Sequence, residues 1–170
     1  MTETNIIEID GKKYKLVEVK EEPKPRKTGY ERCLDGWYYS QSESGFVISH
    51  KHDFDIDDDR YNTANYYTDK QLVLDNARAD ALMRNLRRFS AEGRKHKIDK
   101  MDINQSKYYL RYGFCCNGKD IYVGCNYGDI AQGAVYFDTK ELADAAIEKY
   151  RDELMWYFTA YSDTAEVFDE

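Results

Sequence analysis

Proline is almost missing from this chain: of 170 residues only two are proline, at positions 23 and 25. Chain-breaking residues are therefore confined to one short stretch, and a long Pro-rich disordered region is excluded. No apolar run approaches the roughly 18 residues that a membrane-crossing helix needs, so no span is expected. The opening Met1-Thr2-Glu3-Thr4-Asn5 has neither the basic nor the apolar region of a signal peptide. A cytoplasmic protein is the expectation, with its four cysteines (33, 115, 116 and 125) reduced. Also lacking are a P-loop, a dinucleotide-binding Gly-x-Gly-x-x-Gly, a nucleophile elbow and a His-Glu-x-x-His pair. A non-enzyme without cofactor or metal is the expectation.

Charge and aromatic residues are plentiful. Net charge is −7, and 16 tyrosines and 7 phenylalanines supply side chains that can pack a core. The charge is unevenly spread. Residues 53–59 read Asp-Phe-Asp-Ile-Asp-Asp-Asp, and residues 138–170 are also strongly acidic. Between them lies a basic stretch, 84–100, with Arg84, Arg87, Arg88, Arg94, Lys95, Lys97 and Lys100. The molecule is electrically polar along its length.

The chain repeats itself at an offset of about 70. Ala64-Asn65-Tyr66-Tyr67-Thr68-Asp69-Lys70-Gln71-Leu72 matches Ala134-Val135-Tyr136-Phe137-Asp138-Thr139-Lys140-Glu141-Leu142, and Trp37-Tyr38-Tyr39 precedes the first copy as Lys107-Tyr108-Tyr109 precedes the second. Each copy reads as about three strands and a helix. In the first, strands are expected at 36–41 and 45–50, then an acidic loop at 53–60 and a short strand near 64–67. Thr68 is expected to cap a helix over 69–90, with Gln71 completing a capping box and Gly93 ending it. Its core stripe would be Ala79, Leu82, Met83, Leu86 and Phe89. In the second, strands are expected at 107–115 and 120–125 around Asn117-Gly118, then a strand at 134–137. Asp138 or Thr139 would cap one helix whose stripe is Ala143, Ala146, Ile147, Tyr150, Leu154, Tyr157 and Phe158. A hairpin turning at Asp10-Gly11 precedes both copies.

The expected fold is therefore α+β: two diverged β-meander–helix repeats with antiparallel sheet and helices on one face, preceded by an N-terminal β-hairpin. The expected organisation is a hairpin over 1–20, a linker over 21–29, a first unit over 30–100, a second over 101–161 and an acidic tail over 162–170. The halves would join through their sheets or pair through their helices.

Several clusters invite chemistry. Asp53-x-Asp55-x-Asp57 starts like a calcium loop, but an EF-hand needs Gly at its sixth position and an acid at its twelfth, where Asp58 and Ala64 stand. The run reads as a solvated acidic turn, or as carboxylates spaced to imitate a phosphate backbone. His50 and His52 would share a strand face without a third ligand in a metal-binding spacing. Cys115-Cys116 point to opposite faces, and Cys125 is expected in the core. The basic residues Arg84, Arg87, Arg88, Arg94, Lys95 and Lys97 form the best nucleic-acid candidate, although the acidic balance argues against one. Trp37, Tyr38, Tyr39, Tyr66, Tyr67, Tyr108, Tyr109 and Tyr136 read as sheet core.

The Asp59-Arg60-Tyr61-Asn62-Thr63-Ala64-Asn65-Tyr66-Tyr67-Thr68-Asp69-Lys70 and Ala134-Val-Tyr-Phe-Asp-Thr-Lys-Glu-Leu-Ala143 stretches, with the Ile-Glu-Ile-Asp-Gly-Lys-Lys-Tyr-Lys-Leu opening, resemble an uncharacterised family of small phage and prophage accessory proteins. The chain departs from that pattern at Ala64, where Gly is usual, and at Gln71-Leu72-Val73, where acids are usual. The resemblance implies a phage gene acting in the bacterial host cytoplasm, by association an anti-defence one. With the acidic runs, it leads to the expectation of a non-catalytic inhibitor of a bacterial defence component, a CRISPR effector or other nuclease, contacted through Asp53, Asp55, Asp57, Asp58 and Asp59. The alternatives are a nucleic-acid-binding protein or sequestration of a small nucleotide between the halves. A homodimer is compatible with either.

Overall fold

The computed structural model describes residues 6–9, 12–15, 28–32, 36–42, 45–51, 54–115, 118–128, 130–131 and 133–162. Strands β1 (Ile6–Ile9) and β2 (Lys12–Lys15) pair antiparallel with Ile9 opposite Lys12. The expected turn residues, Asp10 and Gly11, lie outside the described residues, as does the linker up to residue 27. Unit one follows as β3 (Trp37–Gln41), β4 (Val47–Lys51), α1 (Phe54–Asn62) and α2 (Lys70–Gly93). Unit two is β5 (Lys107–Cys115), β6 (Gly118–Asn126), α3 (Lys140–Lys149) and α4 (Arg151–Thr159). The fold is α+β, with antiparallel hairpins β1–β2, β3–β4 and β5–β6.

The third strand of each unit shrinks to a single residue pair. Tyr39 and Tyr67 exchange two backbone hydrogen bonds of 2.7 and 2.9 Å, and Tyr108 and Phe137 exchange two of 3.0 and 2.8 Å. These pairs correct the alignment of the repeats. The helix caps Asp69 and Thr139 stand 70 apart, but Tyr39 and Tyr108 stand 69 apart. A one-residue slip between hairpin and cap therefore sets Lys107 in the place of Tyr38, not of Trp37.

The caps also correct the capping box. Asp69, not Thr68, caps α2 by accepting from Leu72 N–H at 2.7 Å, and Gln71 turns away to Asp75. Thr68 instead bonds the Glu31 carboxylate. Thr139 caps α3 by accepting from Leu142 N–H. The second helix is not continuous: helical dihedrals lapse at Tyr150 (φ −115°, ψ 23°), whose ring meets Phe89 of α2 edge-on.

Helix α2 serves both units. Its start, Leu72 and Val73, packs on Tyr67 with Tyr30, Tyr39 and Val47. Its second half, Leu82 and Leu86, joins Ile121, Phe137, Ala143, Ala146, Ile147 and Leu154 in the main core. The halves meet through helices, α2 against α3 and α4, while β3–β4 and β5–β6 stay separate sheets. Across this seam Arg78 forms a two-pronged pair with Glu153 and lies over the Trp156 ring at 4.0 Å. Such an exposed pair is worth under about 1 kcal/mol; the shared apolar seam supplies far more.

Candidate functional site

The acidic stretch is a helix, not the expected loop. Residues 54–62 form α1, whose sequence has no apolar stripe to betray it. Its end is a Schellman arrangement: Asn65 N–H reaches Arg60 C=O at 2.8 Å and Ala64 N–H reaches Tyr61 C=O at 3.0 Å. Ala64 takes the left-handed conformation this requires, φ +55°.

Helix α1 sorts the five acids. Asp53 lies outside the described residues, and Asp55 is described by its backbone alone. Asp57 is 1% exposed and accepts from the Tyr38 hydroxyl, so it is withdrawn as a surface contact. Asp58 is exposed and pairs with Arg32; Asp59 is exposed on the next position.

Around Asp57 lies a polar core specific to unit one. Arg60 Nη1 donates to the Tyr38 hydroxyl at 2.5 Å and lies 3.9 Å from the Asp57 carboxylate. The Tyr38 ring stacks on Tyr66 at 4.1 Å and on His50 at 5.1 Å. Burial raises the Tyr38 pKa, and the Asp57 carboxylate adds to it. Burial lowers that of His50, and Arg60 adds to it, so the imidazole is neutral near pH 7. His50 Nε2 lies 2.8 Å from Ser40 Oγ. That is the distance of a nucleophile and its base. Ser40, however, is 3% exposed and Tyr38 covers the imidazole, so the geometry serves packing. The other proposed metal ligands, His52 and Asp53, lie outside the described residues, and no group of three metal-ligating side chains gathers among the described ones.

Each unit carries a cleft at the same place, between the edge of its first strand, the segment before its one-residue third strand, and a helix. In unit one the cleft is polar, about 370 Å³, and lined by Gln41, Thr63, Asn65, Tyr67, Asp80 and Arg84 among others. In unit two it is apolar, about 320 Å³, with Leu110, Val135, Leu154, Tyr157 and Phe158 joined by Met83 and Leu86 of α2. Leu154 stands 70 residues after Arg84 and Val135 70 after Asn65, so positions at the repeat offset are polar in one cleft and apolar in the other. This second cleft does lie between the halves, but it offers no cation to a phosphate. It is a poor nucleotide pocket.

Unit two buries a different polar group. Lys107 is 0% exposed, and its Nζ donates to the backbone carbonyls of Asp102, Gln105 and Tyr127 at 2.5, 3.2 and 3.1 Å. Three N–H groups meet three acceptors, which satisfies the buried ammonium in full. No feature of the sequence distinguishes this lysine from its exposed neighbours.

The basic stretch is at the surface. Arg84, Arg87, Arg88, Arg94, Lys95 and Lys97 are all exposed, and among the described residues none pairs with a carboxylate. Arg84, Arg87 and Arg88 belong to α2. The backbone N–H groups of Lys95 and His96 are held by the Asp138 carboxylate at 2.7 and 2.9 Å, which fixes the path of the stretch between units. Two expected core residues are not there. Cys125, near the end of β6, is exposed. Trp37, at the start of β3, is 62% exposed.

Comparison of the chain with protein-family models, with curated proteins and with solved structures finds no match. None of its helices is long and apolar enough to cross a membrane, among the described residues.

Proposed function

We propose that this chain is a non-catalytic binding protein, a phage or prophage accessory factor that inhibits a bacterial defence component such as a CRISPR effector or another nuclease. The phage assignment rests on the sequence resemblance. The observation that carries a protein-binding role is the surface of unit one. Trp37 and Phe46 stand 62% and 73% exposed there, in the unit that also presents Asp58 and Asp59. Interfaces are held by large aromatic anchors and steered by charge. Asp57 takes no part, and Asp53, Asp55, Asp58 and Asp59 are the acids that remain for mimicry.

The test is affinity capture from bacterial lysate, with and without nuclease treatment, read by mass spectrometry. One stoichiometric partner should survive nuclease and be lost in the triple variant Asp55→Lys, Asp58→Lys, Asp59→Lys. Undiminished capture by that variant would remove acidic mimicry.

A second reading, nucleic-acid binding, is favoured by one observation: six exposed cations in the stretch 84–97 are free of carboxylate partners among the described residues. It predicts affinity that falls steeply with salt, and loss of all partners on nuclease treatment.

A further inference from the structure

In unit one the strand edge beyond the Tyr39–Tyr67 pair is closed by a side chain. Asn65 Nδ2 donates to Gln41 C=O at 2.8 Å, and Asn65 Oδ1 accepts from Gln41 N–H at 2.7 Å. A carboxamide thus stands where the peptide group of a longer third strand would stand.

Unit two repeats the strand geometry without the plug. The N–H and C=O of a strand residue point to one edge, and the direction recurs every second residue. Tyr108 directs both groups to Phe137, so Leu110 and Tyr112 direct theirs to that same edge. The residue two before Phe137, in the place of Asn65, is Val135, which has no amide to offer. Among the described residues nothing bonds the main chain of Leu110 or Tyr112 on this edge. The open edge borders the apolar cleft, where Leu110 and Val135 face Met83, Leu86, Tyr157 and Phe158.

We propose that unit two binds a short, extended, uncharged peptide segment of a partner protein as an added strand on β5, pairing with the main chain of Leu110 and Tyr112. The occupant is a peptide because the edge presents alternating donors and acceptors. In unit one, moreover, the same edge is filled by the amide of Asn65. It is uncharged because no lining side chain carries a charge, and a charged residue entering would lose its hydration without a counter-ion. It is short because a cleft of about 320 Å³ is at the small end for a ligand site. The site is independent of the acids of α1, so either can fail alone.

The decisive variant is Val135→Asn, which supplies unit one's plug to unit two. A displayed library of random heptapeptides is selected on the full chain, and capped versions of the winners are titrated against wild type, Val135→Asn and Asp58→Lys/Asp59→Lys. The winners should be uncharged with alternating apolar residues. Loss of two backbone bonds should weaken them about tenfold in Val135→Asn. The acid reversals should leave them unchanged, and the amides of Leu110 and Tyr112 should exchange more slowly in the complex. Should Val135→Asn not melt cooperatively, N-methylation of the peptide residue facing Leu110 removes the donor to Leu110 C=O, one of the same two bonds, and should weaken binding about threefold or more. A library that yields no binder sensitive to either change sinks the proposal. So do charged winners, or winners that leave exchange at Leu110 and Tyr112 untouched.

Discussion

The two units share strands, caps and cleft position, yet they fill their interiors by opposite means. Unit one buries a tyrosine and a carboxylate, Tyr38 and Asp57, joined by the half-buried Arg60 guanidinium, with the Tyr38 ring stacked on Tyr66. Unit two buries an aliphatic and aromatic core centred on Phe137, Ala143, Ala146 and Leu154, and holds the one buried charge among its described residues, Lys107, in a ring of carbonyls. A duplicated scaffold tolerates this because the strand–cap junction depends on backbone bonds and one capping side chain. The interior side chains can then diverge. Stability should follow the apolar unit, and specificity the polar one.

The sharpest way to break that comparison is to empty both cores. Phe137→Ala should cost about 4 kcal/mol in urea unfolding, the range for a fully buried aromatic. Tyr67→Ala, in the smaller core of unit one, should cost less; equal losses would mean that the two cores melt as one. Next in size, Lys107→Met should cost about 3 kcal/mol, because three backbone acceptors lose their donor. Its structural counterpart Tyr38→Phe removes one hydroxyl and should cost about 1–2 kcal/mol.

Acid should separate the units further. Burial by itself raises the Glu31 pKa, but the N–H groups of Thr28 and Gly29 and the Thr28 hydroxyl outweigh it and bring it from 4.5 to about 2. The folded state then holds the carboxylate ionised. Its stabilisation is complete above pH 4.5 and is lost as pH falls toward about 2. His50 acts in the same direction from a higher pH. Its pKa is lowered, so stability present above 6.5 declines as the unfolded chain gains the proton. Unit two weakens in the carboxylate range as well: Arg151 holds the Asp120 carboxylate low, and at Asp138 the N–H groups of His96 and Lys95 outweigh burial. Hydrogen exchange should therefore show unit one loosening first below pH 6.5, through His50, and Glu31→Gln should flatten the lower part of its profile. The smallest effect is a gain: Ala64→Gly should raise the thermal midpoint, adding about 1 kcal/mol by relieving the left-handed backbone at the end of α1.

How far the sequence could be read depended on periodicity. The β5–β6 hairpin, the stripe of α2 and the caps near 69 and 139 were legible, because alternation and spacing of apolar residues encode them directly. Helix α1 was not, since a run of aspartates carries no period; what forms it is Asp57 and Arg60 reaching a tyrosine 19 and 22 positions away. The break at Tyr150 was hidden inside an unbroken apolar stripe. Of the candidate contact residues, the exposed basic side chains lie where the pattern put them. Asp57 does not, because one helical turn sets adjacent acids on different faces.

The sequence by itself determined the class of fold, the repeat, the order of the hairpins and the place of α2, since these follow from local pattern and turn chemistry. Tertiary structure alone decided the one-residue slip that buries Lys107, the sharing of α2 between two cores, and the contrast between a strand edge closed by Asn65 and one left open beside Val135. Each of these depends on which residues meet across 20 or more positions of chain, a relation that no local spacing records.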